Sequence, residues 1–341
     1  MAPSPAPGSS PALAPHAPPV AWPAPPTVLA TPRATASLQA PAAVVMVRPH
    51  RFRPNPQTAA DNAFQRSDQA RDEAEIAAAA FDEVTEAAAT LRAAGVRVHL
   101  FDDDGTRDTP DYVFPNNWFS THAGGHVAIY PMYSANRRCE RRADVIEMLK
   151  AEYRVQDVID YSGLEHDGVF LEGTGAMVLD HVARVAYAAT SNRADAVALE
   201  RFCTHFNFEP MAFDTVDASG RAVYHTNVLM CVATDFALVG LDFIADPRRR
   251  AAVRARLEES GREVIHLDRE QIEQFAGNAL ELSGCGGRLL AMSVRALESL
   301  APAQRRAIEC SARIVALPVP TIELAGGSVR CMLAGIHLAR R

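Results

Sequence analysis

Cys331 lies ten residues from the end of the chain, in Gly326-Gly327-Ser328-Val329-Arg330-Cys331-Met332. Two glycines let the backbone turn sharply and approach another group closely. The neighbouring Arg330 favours the thiolate, the form of cysteine that attacks carbon. Taken alone, such a cysteine reads as readily as a buried structural thiol. Other polar segments change the balance: Asp111-Tyr112-Val113-Phe114-Pro115-Asn116-Asn117, Glu172-Gly173-Thr174-Gly175, His225-Thr226-Asn227 and Gly277-Asn278. Each sits beside an apolar run, where a polar side chain is costly to bury unless it binds its fellows or a ligand. Any one of them alone reads as a turn residue or a strand cap. With Cys331 they supply a nucleophile, a base (His225) and an orienting acid (Glu172), the set that covalent catalysis demands.

The elements that must position these residues come as a repeat. Residues 176 to 213 read as strand, turn at Asp180-His181, strand, a helix over Arg193 to Phe206, and a short apolar strand. The order returns in 227 to 268, with a helix from Pro247 to Ser260, and in 279 to 317, with a helix from Pro302 to Cys310. Pro247 and Pro302 open their helices where no donor is lost, and Gly261 follows the end of one. The first half matches more loosely. It offers strands at Val44 to Arg48, Val96 to Phe101, Val127 to Pro131 and Arg154 to Ile159, with helices over Ser67 to Ala94 and Glu140 to Lys150. On the long helix, Ala77, Phe81, Val84, Ala88 and Leu91 make one apolar stripe. Units of this kind bury their helices by packing on neighbours, so a closed ring of about five is expected, as one α/β domain over residues 43–341. In such a ring the starts of equivalent strands converge on the axis.

Composition limits the alternatives. The chain has 341 residues, 48% of them hydrophobic, and a net charge of -7, enough for a sizeable core. It has no run of about 18 apolar residues, so no membrane span is expected. Scattered arginines and mild acidity argue against a nucleic-acid surface. Six cysteines lie far apart without a C-x-x-C pair, which suits a reducing, cytoplasmic compartment. Residues 1–42 hold 12 of the 23 prolines and Arg33 as their one charged residue, which reads as a disordered Pro/Ala-rich tail. His122 and His126 flank Gly124-Gly125, a loop with too few ligands for zinc.

The same residues carry a family resemblance. From residue 44 to 341 the chain resembles the guanidine-group-modifying (pentein, amidinotransferase-like) superfamily, and within it most resembles the citrulline-utilization hydrolases, relatives of arginine deiminase and dimethylarginine dimethylaminohydrolase. The motifs are Pro110-Asp111-x-Val-Phe, Asn136-Arg137-Arg138-x-Glu140, Leu171-Glu172-Gly173, Ser191-x-Arg193, His225, Gly277-Asn278 and Gly-Gly-x-x-x-Cys331-Met. The resemblance implies a five-bladed α/β propeller with Cys331 as nucleophile, His225 as general acid/base and Glu172 on the substrate's terminal nitrogens. It implies Arg137 and Arg193 on the α-carboxylate of an arginine-like substrate, a task suited to a bidentate fork.

Two positions depart from the deiminase pattern. Asn117 stands where those enzymes place an aspartate against the guanidinium, and Asn227 where arginine deiminase has an aspartate beyond its histidine. A guanidinium is a cation with donors only, whereas a neutral ureido group offers both an acceptor and donors, which asparagine amides match. The expectation is therefore a cysteine-dependent hydrolase of the citrulline ureido group, with Asp111, Asn117, Arg137, Arg193, Asn227 and Asn278 binding substrate. A guanidino hydrolase and a non-catalytic amino-acid binding protein are the alternatives. Neither a metal nor an organic cofactor is expected, and the partner is a small molecule rather than nucleic acid or membrane. A homodimer is compatible with a sequence that carries no signal for oligomeric state.

Overall fold

Five three-stranded sheets make up the computed structural model, which describes residues 38–341. Each is built alike: its middle strand pairs antiparallel with one neighbour and parallel with the other. The parallel partner needs a crossover, and a helix supplies it every time. Those helices are Glu73–Ala93, Ala143–Glu152, Ala196–Phe206, Pro247–Glu259 and Pro302–Glu309. Asp72, Asp195 and Asp246 cap three of them, and Pro247 opens one at its first position, as its fixed φ allows.

The repeat read in the second half of the chain therefore extends through the first half. Two strands escaped the sequence pattern. Phe119–His122 forms the hairpin partner of His126–Ile129, so Gly124-Gly125 is the turn between two strands. Ala334–Gly335, after Cys331, pairs antiparallel with Ala43–Arg48 and completes the first sheet from the far end of the chain. His122 packs among Phe202, Phe206 and Phe208, while His126 bonds Asp157.

The long helix buries Ile76, Ala80, Val84, Ala87, Ala88 and Leu91. This face is turned slightly from the expected stripe, because Phe81 is only half-buried and carries Arg48 at 4.4 Å over its ring. Gly95 ends the helix at φ +91°, and a Cβ there would fall 2.2 Å from the backbone nitrogen of Cys285. That close approach brings the fifth sheet's hairpin turn against the first sheet's helix, with Cys285 N donating to Ala94 O at 3.0 Å.

Residues 1–37, most of the expected tail, lie outside the described residues. Its far boundary moves inward from 42, because Gln39 is buried. The Gln39 amide donates to Leu179 O at 2.9 Å and Val232 O at 2.8 Å. Ala36–Arg341 forms one compact unit. Among the described residues no helix is long and apolar enough to cross a membrane.

One buried ion pair ties the third sheet to the fourth. Arg262 holds Asp180 through Nη1 at 2.5 Å and Nη2 at 2.9 Å, and donates from Nε to Ala233 O at 2.6 Å. Removing one member leaves an uncompensated buried charge. Arg262→Met should therefore lower the unfolding free energy by about 3–5 kcal/mol in urea titrations. The double variant Arg262→Met, Asp180→Leu should recover much of that loss.

Candidate active site

One expected site residue from each repeat, Asn117, Glu172, His225, Asn278 or Cys331, occupies the same place: at a tight turn just before the edge strand that pairs antiparallel. Asn117 closes the turn Pro115–Asn117 ahead of Phe119–His122. Glu172 precedes the turn Gly173–Ala176 and strand Met177–Asp180, and His225 precedes Thr226–Val228 and strand Met230–Val232. Asn278 leads into Leu280–Gly284, and Cys331 sits in the turn Val329–Met332 before Ala334–Gly335. Glycine lets these turns crowd together. A Cβ on Gly175 would lie 2.1 Å from the Asn117 amide and 2.9 Å from the His225 ring.

All of the expected site residues are buried. The Cys331 sulfur accepts from Asn227 Nδ2 at 3.2 Å and from Asn278 Nδ2 at 3.3 Å. Asn278 is itself held, donating to Asn227 O at 3.0 Å and accepting from Arg330 N at 3.0 Å. Arg330, the neighbour expected to support the thiolate, does not touch the sulfur. Its Nη1 donates to Leu333 O at 3.0 Å.

His225 Nε2 meets Glu172 Oε2 at 2.8 Å. The same carboxylate has Arg137 Nη1 at 3.4 Å and Arg193 Nη1 at 3.5 Å, and its Oε1 accepts from Tyr133 N at 3.0 Å. Burial alone would push the Glu172 carboxyl up. Arg193, His225 and Arg137 together outweigh it and hold the group well below the usual carboxylate range. Burial depresses His225 to about 4 against the opposing pull of Glu172. At neutral pH the pair is thus a carboxylate and a neutral imidazole.

The two arginines differ from the expected open forks. Arg137 is fully engaged. Glu140 takes Nε at 2.8 Å and Nη2 at 2.9 Å, and the Asn117 amide oxygen, suitably oriented, accepts from Nη1 at 3.0 Å. Arg193 presents its Nε–Nη2 edge to Asp61, at 3.0 and 2.5 Å, and stacks over Tyr224. Asp111 accepts from Asn55 at 2.8 Å, while its Oδ1 has no hydrogen-bond partner among the described residues.

Asp61 and Glu140 were missed as site residues. Glu140 had a signal, since it lies three residues after Arg137 in a motif already singled out. Asp61 had none, because only the tertiary path of its loop brings it to Arg193. That loop covers the site, with Asn62 Nδ2 donating to Ala325 O at 3.0 Å and Arg66 N to Leu324 O at 2.9 Å. Gln65 braces it from within, donating to Asn55 O at 3.0 Å.

Beneath the loop, Asn62, Asp111, Asn117, Arg193, His225 and Cys331 line a cavity with about 240 Å³ of atom-free space. The clear room at its centre is about that of one water.

A buried cysteine, a histidine and its carboxylate, set on five repeated α/β units, define a hydrolase site of the covalent cysteine type. The chain belongs to the family described as N,N dimethylarginine dimethylhydrolase, eukaryotic, whose pattern matches residues 48–338. It is thus a pentein relative, a hydrolase of non-peptide C–N bonds.

Solved structures share the fold. The N-terminal domain of ArgZ, an arginine dihydrolase from the ornithine–ammonia cycle in cyanobacteria, solved as a cysteine-to-serine variant bound to substrate, has a TM-score of 0.68 at 16% identity. The match covers 86% of this chain and 97% of that one. AgrE, solved as a cysteine-to-alanine variant with L-arginine, also gives 0.68 at 16% identity, over 88% of this chain and 40% of that longer one. DDAH from Pseudomonas aeruginosa, solved with citrulline, gives 0.57 at 13% identity, over 89% and 100%. No curated protein matches by sequence.

The neutral, buried His225 makes an acid-stability prediction. A histidine depressed from 6.5 to about 4 is charged first in the unfolded chain, so stability falls as pH drops through that interval. Urea unfolding at pH 7 and pH 4 should show His225→Asn losing about 3 kcal/mol less than the wild type.

Proposed function

We propose that the chain hydrolyses the ureido group of citrulline, through a covalent adduct on Cys331. The observation that carries this reading is the pair of asparagine amides on the sulfur, with Asn227 Oδ1 buried and without a partner among the described residues. At the reacting end, that acceptor and two amide donors match a neutral group having both a carbonyl and N–H bonds. Glu172 already accepts from four groups, so it offers a guanidinium little.

His225 and Cys331 line one cavity, and neutral His225 takes the thiol proton. The thiolate then attacks the ureido carbon, and His225 passes its proton to the departing nitrogen, which leaves as ammonia. The adduct is a thiocarbamate linking ornithine to Cys331. His225 next accepts a proton from water, whose oxygen attacks the same carbon. The thiol is restored and a carbamate is released, which decays to ornithine and carbon dioxide.

Glu172 orients His225 and stabilises its charged form while the proton is in transit. Asn117 and Arg137 fix the floor of the site. Arg193 binds the α-carboxylate once Asp61, a carboxylate already seated on that fork, withdraws with its loop. Asp111 then faces the α-amino group. The same reading arranges the five sheets as blades of an α/β propeller, supported by the five equivalent turns and by the contact of the fifth sheet with the first.

A second reading is a guanidino substrate, arginine or a methylated arginine. It is favoured by Asp111 Oδ1, a buried carboxylate oxygen without a hydrogen-bond partner among the described residues, and by the family's name. There the first turnover would give citrulline and ammonia or an amine.

Products from citrulline, arginine and N,N-dimethylarginine separate these readings. Ornithine from citrulline, abolished in Cys331→Ala, is the expected result. Citrulline formed from a guanidino substrate, with citrulline itself inert, would overturn it in favour of the second reading. No turnover of any would point to a binding protein. Asn227→Asp should shift the kcat/KM ratio of citrulline to arginine towards arginine by roughly 100-fold.

A further inference from the structure

A second cavity, sharing no lining residue with the first, lies along the opening strands of the sheets. It has about 560 Å³ of atom-free space, and its polar lining includes Gln39, Thr121, His181, Cys231, Arg330 and His337. Its clear interior is narrow, with room for only a few waters.

Arg330 lines this cavity, and no carboxylate meets its guanidinium among the described residues. Its guanidinium has five donors, and the one hydrogen bond they make among the described residues goes to Leu333 O. The carboxylates of that region are committed elsewhere. Asp180 is held by Arg262, and Glu281 accepts from Thr234 N and Oγ1 at 2.7 and 2.6 Å through Oε2 while its Oε1 pairs with Arg288 Nη1 at 3.5 Å. Residues 1–37 contain no Asp or Glu, so that segment brings no carboxylate side chain. The other titratable groups there are neutral. Burial pushes Cys231 up to about 12, takes His337 down to about 4 and holds His181 well below its usual value. His181 and His337 stack at 3.8 Å, which two imidazolium cations would resist. A deep charge left unpaired is expensive.

We infer that this cavity binds a small monovalent anion on Arg330, and that the bound anion slows the chemistry of Cys331. The clear interior suits a halide or nitrate. The coupling path is short: Arg330 N donates to Asn278 Oδ1 at 3.0 Å, and Asn278 Nδ2 touches the sulfur at 3.3 Å. A negative ion on Arg330 cancels the positive field that favours the thiolate of the adjacent residue. The coupling rests on Cys331 being the reacting group, whereas the anion site does not.

The test uses the full chain in sodium gluconate, a bulky hydroxylated anion, titrated with chloride or bromide at constant ionic strength. Crystals soaked in bromide should show an anomalous peak beside Arg330. Alkylation of Cys331 by neutral iodoacetamide at fixed pH, followed on the Cys331 peptide, should slow saturably by about three- to tenfold with chloride. That response should vanish in Arg330→Met. Bromide at surface positions only would overturn the anion site, and this result is decisive even if the variant fails to fold. A peak at Arg330 with an unchanged alkylation rate would overturn the coupling. A peak at Arg330 in a protein that turns over no ureido or guanidino substrate would support the anion site while removing the catalytic reading.

Discussion

Everything at the centre of this molecule depends on keeping one carboxylate, Glu172, ionised where water is excluded. Taken from water alone, that charge would cost several kcal/mol and the group would take up a proton instead. Arg137, Arg193, the His225 ring and Tyr133 N surround it, and Glu140 and Asp61 in turn hold the arginines. Each member is satisfied only while the others are in place. The segments that carry them belong to four of the five sheets, so the network also fixes how the repeats meet.

The repeat explains how so many polar groups reach one spot. In each sheet a short turn leads into the antiparallel edge strand, and five such turns bring Asn117, Glu172, His225, Asn278 and Cys331 together. Small residues between them set the distances, as the space that a Cβ on Gly175 would need shows. Burial then tunes the chemistry. It keeps His225 neutral at rest, and in the mechanism we propose the Glu172 carboxylate beside it stabilises the imidazolium that proton transfer creates.

The sequence made the repeat and the candidate site residues legible for different reasons. Helices announced themselves through Pro247, Pro302 and Gly261, which act locally, and their bounds differ from the expected ones by a few residues. Cys331, His225 and Glu172 stood out because their types are costly beside apolar strands. Asp61 was invisible, because its meeting with Arg193 is made by a loop 132 residues away in sequence. Ala334–Gly335 was too short to show a pattern, and its strand character comes entirely from pairing with Ala43–Arg48. Arg330 misled in a useful way. Adjacency in sequence suggested contact with the sulfur, but successive side chains on a helical turn do not face the same way, and its guanidinium enters the second cavity.

The claim that all of this assembles around a covalent step at Cys331 can be tested most directly by trapping the adduct. Enzyme mixed with citrulline, quenched in acid within one turnover and digested, should yield the peptide containing Cys331 carrying ornithine through a thiocarbamate. Turnover with Cys331 unmodified at every quench time, or with the adduct on another cysteine, would contradict the account.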